Sequence, residues 1–525
     1  MLPGVFASVW RRIRDFSGIG GSSHLWTRWI VLRAVGIVYC VVFAGVVAQA
    51  RVLVGPRGLA PMGDFLQDQL AQGPGPLAAF LRAPGIFWIN AGDGMIAFVG
   101  WLGLAAAAAL VLNLWPRMAL FTCWAAFLSF VSPGQFFAAT QPDQLMIEVA
   151  LLCIPFAPAG FRPGLGEASP PRPIALFAVR LLLFRVMFEA GIAKFVLGGA
   201  LWRNLTAMDI MYQSAPFPTI LGYYDFHLPH AYHVLEIALT FIVEIPAPLL
   251  AVFAGRRGRW IAFVTWTLFH VGIQLTNNFG WLNVASIGLG FLFLDDQMLA
   301  DAARRLRIGR AARFLARPPV PAPVVRGWRL WGLRVMLGFQ FALGLCFFLL
   351  ADTDLARVVP GPVARAANGV FGAFRSSNGY LLFGNIMTSR YTVELEGSND
   401  GGETWRTYDF RYMPQQEGRI SPFIAPWYPR FEAILQNTSV VTRASPLFPA
   451  VAAHLLRRDP DVVALFERDP FPGRPATMIR MSIYLMKFTD LDTHSRTGDF
   501  WTKEYRGDYM PVMYLDEHGA IVQAG

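Results

Sequence analysis

Two residues could carry acid–base chemistry inside an otherwise apolar stretch of chain: Lys194 and His270. Lys194 lies near the end of an apolar run and is followed by Phe-Val-Leu-Gly-Gly-Ala-Leu-Trp. A partly desolvated lysine has a lowered pKa and can act as a general base. The plainer expectation is a lysine that snorkels from a helix end toward water. Other polar residues stand in or beside apolar runs. Gln141, Asp143 and Glu148 lie at the mouth of one, and Trp202, Glu244, Asn277 and Asn278 lie at or near the ends of others. Arg185 and Glu189 are four apart and can pair on one helix face. Ionisable groups are costly in a bilayer and turn toward a bundle interior or a water-filled cavity. Lys194 and His270 are therefore the catalytic candidates. Gln141, Asp143, Glu148, Arg185, Glu189, Trp202, Asn277 and Asn278 are the binding candidates. For Arg185 and Glu189 an ion-pair network that merely holds helices together explains the pattern equally well.

Other chemistry finds little support. His227, His230 and His233 have a spacing that could suit a metal on a helix, but Pro229 interrupts it, so no metal site is expected. Walker A, His-Glu-x-x-His and Gly-x-Ser-x-Gly patterns are missing from the sequence. Cys40, Cys123, Cys153 and Cys346 all fall in apolar segments without a Cys-x-x-Cys partner, as buried thiols would. The stretch Ser398-x-Asp400-x-Gly402-x-Thr404-Trp405 matches the Asp-box pattern, in which side chains bond turn N–H groups and glycine supplies positive φ. It reads as a folding device.

The elements that must position these residues follow from composition. The 525 residues are 54% hydrophobic and only 15% charged, well below the roughly 25% of an average globular domain. That excludes an ordinary soluble enzyme and a disordered chain. The net charge of +10 comes from arginines beside apolar runs: Arg11, Arg12 and Arg14; Arg256, Arg257 and Arg259; and those from Arg304 to Arg317. This is the positive-inside pattern and not a nucleic-acid footprint. Clear spanning runs are 29–50, 95–114, 174–195, 261–276 and 330–350. Less clean ones are 119–131, 145–157, 232–254 and 282–294, giving about nine spans. The first reads as a retained signal-anchor despite the Ala48-Gln49-Ala50 triplet. With the arginines cytoplasmic, the N-terminus is cytoplasmic and everything after Leu350 is exported. Long exported-side loops fall at 55–90 and 197–229, and a shorter one at 132–143. The Pro-rich stretch 318–323 reads as a stiff linker. After about residue 352 the composition turns polar. The segments 389–397 and 403–412 alternate around an Asp/Gly turn as a hairpin. The segment 477–488 reads as a strand and 450–467 as a helix. The expected architecture is a polytopic α-helical membrane bundle (1–351) plus a strand-rich α+β extramembrane domain (352–525).

Several blocks, in order, resemble the lipase maturation factor family. They are Gln141–Glu148, Phe184–Phe195, Trp202–Pro229 and Asn277–Asp296, then TSRYTVELEGSNDGGETWRTYDFRY, Ile420–Pro426 and DPFPGRPATMIRMSIYLMKFTD. Two blocks depart from the family pattern, at Ile210–Pro216 and at Trp427–Ala433. The resemblance implies a bacterial-type inner-membrane protein with a periplasmic C-terminal domain; its eukaryotic relatives lie in the endoplasmic-reticulum membrane. It would assist folding or assembly of exported client proteins, lipases among them, by binding and without a cofactor, with membrane lipids as its other partners. A shorter likeness, FEAGIAKF before Trp202 and His270 before Asn277 and Asn278, is similar to the membrane core of vitamin K-dependent γ-glutamyl carboxylase. It implies the alternative: a membrane enzyme with Lys194 as base toward a quinone or lipid. A structural membrane subunit with an exported interaction domain is the third reading.

Overall fold

The computed structural model describes residues 2–19, 21–133, 141–316, 327–350, 355–441, 446–516 and 518–523. Most of the expected loop at 132–143 and the Pro-rich stretch 318–323 lie outside the described residues. Helices fill the chain as far as Leu350. After an N-terminal helix, Leu2–Phe16, come α1 (Leu25–Val54), α2 (Asp93–Val111), α3 (Pro116–Val131), α4 (Gln141–Phe156), α5 (Pro173–Val196), α6 (His230–Glu244), α7 (Gly255–Thr276), α8 (Leu282–Gly290), α9 (Asp296–Arg305) and α10 (Trp328–Leu350). After Ile245 the apolar helix Pro246–Phe253 continues α6. Short helices, among them Met62–Ala71, Met208–Ser214 and Ile220–Phe226, punctuate the long loops.

Among the described residues four helices are long and apolar enough to cross a membrane: Leu25–Val54, Asp93–Val111, His230–Phe253 and Leu330–Leu350. The chain is thus an integral membrane protein. Helix α5 is as long as these but carries Arg180, Arg185, Glu189 and Lys194, all buried inside the protein. Its charges lower its hydropathy, while their burial removes them from the lipid.

The 30 residues of α1 span about 45 Å. This helix packs on α2, α4 and α8. At Gly103 of α2 an added methyl would lie 2.1 Å from the Phe43 ring, so the two helices touch at backbone distance there. A helix start leaves N–H groups without partners. In α1 the Asp296 carboxylate accepts from the N–H groups of Leu25, Trp26 and Thr27 at 2.8, 2.9 and 3.2 Å. A carboxylate at a helix N-terminus is favoured by the helix dipole as well. At the same end Arg180 donates to the carbonyls of Leu292 (2.6 Å) and Phe16 (2.7 Å), and Arg28 to those of Leu165 and Ser169, each at 2.7 Å.

Beyond Leu350 the chain builds one antiparallel sheet in the order β2-β1-β3-β4-β5. The strands are β1 (Arg390–Ser398), β2 (Arg406–Thr407), β3 (Met478–Phe488), β4 (Trp501–Leu515) and β5 (Ile521–Gln523). The hairpin expected at 389–412 forms, but its second arm pairs only through Glu396↔Thr407 and Gly397↔Arg406 before leaving the sheet. The main partner of β1 is β3, in register from Arg390↔Met486 to Ser398↔Met478. Helices α11 (Arg430–Val441) and α12 (Leu447–Leu456) pack on this sheet. The single helix expected at 450–467 is instead broken, since Arg458 takes a left-handed φ of 52° and Asp459 caps a new turn at Pro460–Val463.

The hairpin turn shows why its residues recur as a pattern. Gly401 and Gly402 have φ of 79° and 94°, which a side chain resists. Asp400 accepts from the N–H and hydroxyl of Thr404, and Gly402 N–H donates to Ser398 Oγ at 3.0 Å. These bonds hold the Asp400 carboxyl below the usual carboxylate range. A depressed folded-state pKa stabilises above the unfolded pKa and loses that effect as pH falls through the folded value. Asp400→Asn is therefore expected to lower thermal stability at neutral pH, and the gap to the wild type to close on acidification below about pH 3. A constant gap in a pH series of melting curves would refute this.

Candidate functional site

Helix α5 contributes to two separate clusters: Arg185 and Glu189, four apart, share one face, while Lys194 lies on the opposite one and meets Glu244. Lys194 is 2% exposed and does not snorkel. Glu244, at the end of α6, supplies its counter-charge at 2.8 Å. The ammonium also donates to the carbonyls of Leu382 (3.0 Å) and Ala190 (3.4 Å), and it lies 5.2 Å from the Trp202 ring centre. Three acceptors, Glu244 and the carbonyls of Leu382 and Ala190, thus surround this nitrogen. His270 sits nearby with Nδ1 2.8 Å from Asn283 Oδ1, while its buried Nε2 has no hydrogen-bond partner. The cavity between Lys194, Glu244 and His270 measures about 50 Å³. That is room for water, far short of the roughly 300 Å³ at which small-molecule pockets begin.

The second cluster joins α4 and α5. Arg185 donates to Glu148 at 3.0 Å and to Glu189 at 2.8 Å. The expected i,i+4 pair is present, but Glu148 is its third member, and the cluster continues into the segment after α10. Glu148 accepts from the N–H of Asn378 (2.9 Å) and from the Tyr380 hydroxyl (2.8 Å), and Glu189 accepts from the N–H of Tyr380 (2.9 Å). Arg185 also donates to the Asn378 carbonyl. Helix α10 crosses this cluster at Gly344, where an added methyl would lie 2.3 Å from the guanidinium.

The third group repeats the arrangement. Arg430 of α11 forms a bidentate pair with Asp143 at 2.9 and 2.7 Å, and its guanidinium lies 5.0 Å from the Trp281 ring centre. Asn278 donates to the Pro422 carbonyl at 2.9 Å and accepts from the N–H groups of Ile424 and Ala425 at 3.0 and 3.2 Å. Trp202 donates to the Phe383 carbonyl at 3.0 Å. Gln141 and Asn277 are not drawn in. Gln141 lines a cavity of about 180 Å³ beside Trp281 and Tyr428, and the side-chain oxygens of both residues lack hydrogen-bond partners. The three loop histidines turn to different partners: His227 to the Thr489 carbonyl, His230 to Asp209, His233 to Glu236. Among the described residues no three ligand side chains could hold a metal.

Seven of the ten candidates thus meet residues between Asn378 and Arg430, where they act as a clasp between the helices and the sheet-bearing part. Sequence reasoning missed the other half of the clasp. Asn378, Leu382, Phe383 and Pro422 contribute backbone atoms, which have no residue-type signature. Arg430 was missed as well: it lies in the block Trp427–Ala433 that departs from the family pattern, and nothing local marks it as the partner of Asp143.

A structural role for Lys194 has a specific consequence. Lys194→Met leaves Glu244 buried without its counter-charge, and is expected to cost about 3 kcal/mol of stability, while Lys194→Met with Glu244→Leu recovers most of it. Melting in detergent measures both. A double variant that melts normally yet fails in function would return Lys194 to chemistry.

A family profile described as "Lipase maturation factor transmembrane domain" matches residues 26–301, and one described as "Lipase maturation factor C-terminal domain" matches 376–511. Lipase maturation factor 1 of Mus musculus is 28% identical, over 94% of this chain and 88% of its own length. The Homo sapiens protein of that name is 28% identical over 95% and 90%, and Lipase maturation factor 2 of Rattus norvegicus 26% over 93% and 83%. No solved structure matches the chain. With the transmembrane profile covering more than half of its length and the C-terminal profile following in order, the chain belongs to the lipase maturation factor family.

Proposed function

We propose that this chain is a membrane-embedded maturation factor that binds exported proteins and assists their folding or assembly, with lipases as the client class. The observation that carries this reading is the clasp. The buried charges of the clasp hold the C-terminal part against one set of helix ends, which supports a rigid platform. The relatives' names supply the link to lipases.

Nine crossings fit this reading: α1 to α5, α6 with its continuation, α7, α8 and α10. The contacts to the C-terminal part support it. They come from Gln49 near the end of α1, Asp143 and Glu148 in the first half of α4, Lys194 at the end of α5 and Asn278 just before α8. Alternating ends are what antiparallel crossings produce. Arg28, Arg180 and Arg259 lie at the opposite ends, and the positive-inside rule supports taking that side as the cytoplasmic one. The C-terminal part (352–525) would then be exported, into the periplasm of a bacterial inner membrane. It would form the client-facing surface with the loop 197–229.

The test is deletion of the gene in its own cell, with secreted lipase activity measured against lipase transcript. Lost activity at constant transcript, restored by the wild-type chain and by the Lys194→Met/Glu244→Leu variant, is expected. Unchanged activity, together with crosslinking from intact membranes that captures no exported protein, would sink the proposal.

A further inference from the structure

Away from the clasp, a cavity of about 520 Å³ opens between the helices Met208–Ser214 and Ile220–Phe226 and the facing sides of α6 and α7. Its wall is mostly apolar, with Leu239, Leu268, Phe269 and Ile273 along its length. Its polar groups, by contrast, are rich in acceptors. Asp225 and Glu236 line it, and no lysine or arginine among the described residues forms an ion pair with either. The Tyr212 hydroxyl donates to Glu236 Oε1 at 2.6 Å, and no hydroxyl or amide among the described residues donates to the Asp225 carboxylate. His233 Nδ1 lies 2.9 Å from the other Glu236 oxygen. A separate observation comes from Asn277, which also lines the cavity. It is 2% exposed, yet its Oδ1 has no hydrogen-bond partner. A buried acceptor without a donor is costly.

Charge and donor count therefore select the same occupant, a cationic group with several N–H donors. The rings of Tyr224 and Tyr232 in the same wall suit a cation too, through their π faces. The surroundings select the rest of it. Leu221, Leu239, Leu268 and Leu275 are 44 to 65% exposed around this cavity, on or beside helices of the membrane part. In a bilayer such side chains face acyl chains.

We propose that this cavity binds a phospholipid with a primary ammonium headgroup, of the phosphatidylethanolamine type. The ammonium sits among Asp225, Glu236 and Asn277 Oδ1, and an acyl chain runs along Leu268, Phe269 and Ile273. The site shares no side chain with the clasp but lies partly on the loop 197–229, which the proposed function makes client-facing; the lipid assignment rests on the cavity's own chemistry and stands or falls apart from that reading.

Native mass spectrometry of the full chain in detergent tests this, with phosphatidylethanolamine, phosphatidylcholine and phosphatidylglycerol offered in equal amounts. Phosphatidylethanolamine is expected to be retained about tenfold over the other two. The choline headgroup carries no N–H, and the glycerol lipid is an anion. Asp225→Asn with Glu236→Gln keeps the shape and is expected to abolish the preference. Gly272→Leu is expected to reduce retention of every lipid, because a Cβ there points into open space and the longer side chain would fill the cavity. Equal retention of the three lipids by the wild type overturns the proposal. So does a preference that survives both variants. If no lipid is retained but a lysine-bearing apolar peptide binds and the carboxamide variant loses it, the cavity is a polypeptide site and the lipid assignment is wrong.

Discussion

Glu148→Ala is expected to release the C-terminal part from the helices. The side chain is fully buried and collects Arg185, the N–H of Asn378 and the Tyr380 hydroxyl on its two oxygens. Removing it leaves Arg185 with Glu189 and the Asn378 carbonyl, and leaves the Asn378 N–H and the Tyr380 hydroxyl without an acceptor in a site with little access to water. Breaking a buried pair from one side costs about 3–5 kcal/mol, and orphaned donors add to that. The loss falls on docking, because Asn378 and Tyr380 belong to the docked segment. Limited proteolysis reads the population of the open form when cleavage is slow. A loss of about 4 kcal/mol corresponds to roughly a thousandfold faster cleavage. Glu148→Gln keeps the acceptor oxygen but not the charge and should fall between. Cleavage within tenfold of the wild type for Glu148→Ala would show that docking does not depend on this carboxylate.

The Asp143–Arg430 pair gives the second large effect, with an internal control. Both side chains are almost wholly buried, at 0% and 2% exposure. Asp143→Ala and Arg430→Ala should each cost about 3–5 kcal/mol, since each strands the opposite charge. Asp143→Leu with Arg430→Met replaces the pair with apolar groups of similar size and should recover most of the loss, for the same reason. A double-mutant cycle then yields a coupling energy of at least about 2 kcal/mol. Coupling near zero would mean that the two side chains act separately, and that the Trp281 face beneath the guanidinium is what matters.

These two sites also show what could be read from the sequence. The i,i+4 spacing of Arg185 and Glu189 made their pairing legible, because both lie on one helix. Glu148 and Asp143 were legible as costly charges beside an apolar run, but their partners were not. Asp143 meets a residue 287 positions away, and no local periodicity encodes that distance. The helical and strand-rich halves were legible from composition and alternation. The pairing of β1 with β3 was not, since the nearby Asp/Gly turn pointed to the shorter connection. Lys194 was the hardest residue to read. Snorkelling lysine, reactive lysine and ion-paired lysine look the same in one dimension, and only the approach of α6 separates them.

The clasp has a consequence for how the protein is made. Helices α4 and α5 leave the ribosome long before residues 378–430 do. In that interval Asp143 sits near the membrane without Arg430, and Glu148 and Glu189 share the one positive charge of Arg185. The growing chain therefore holds unneutralised acidic groups in its membrane part until its last third has been synthesised and delivered to the same side. A truncated product would keep that defect permanently and would carry, in its own helices, a mark by which a membrane protease could tell it from a finished molecule.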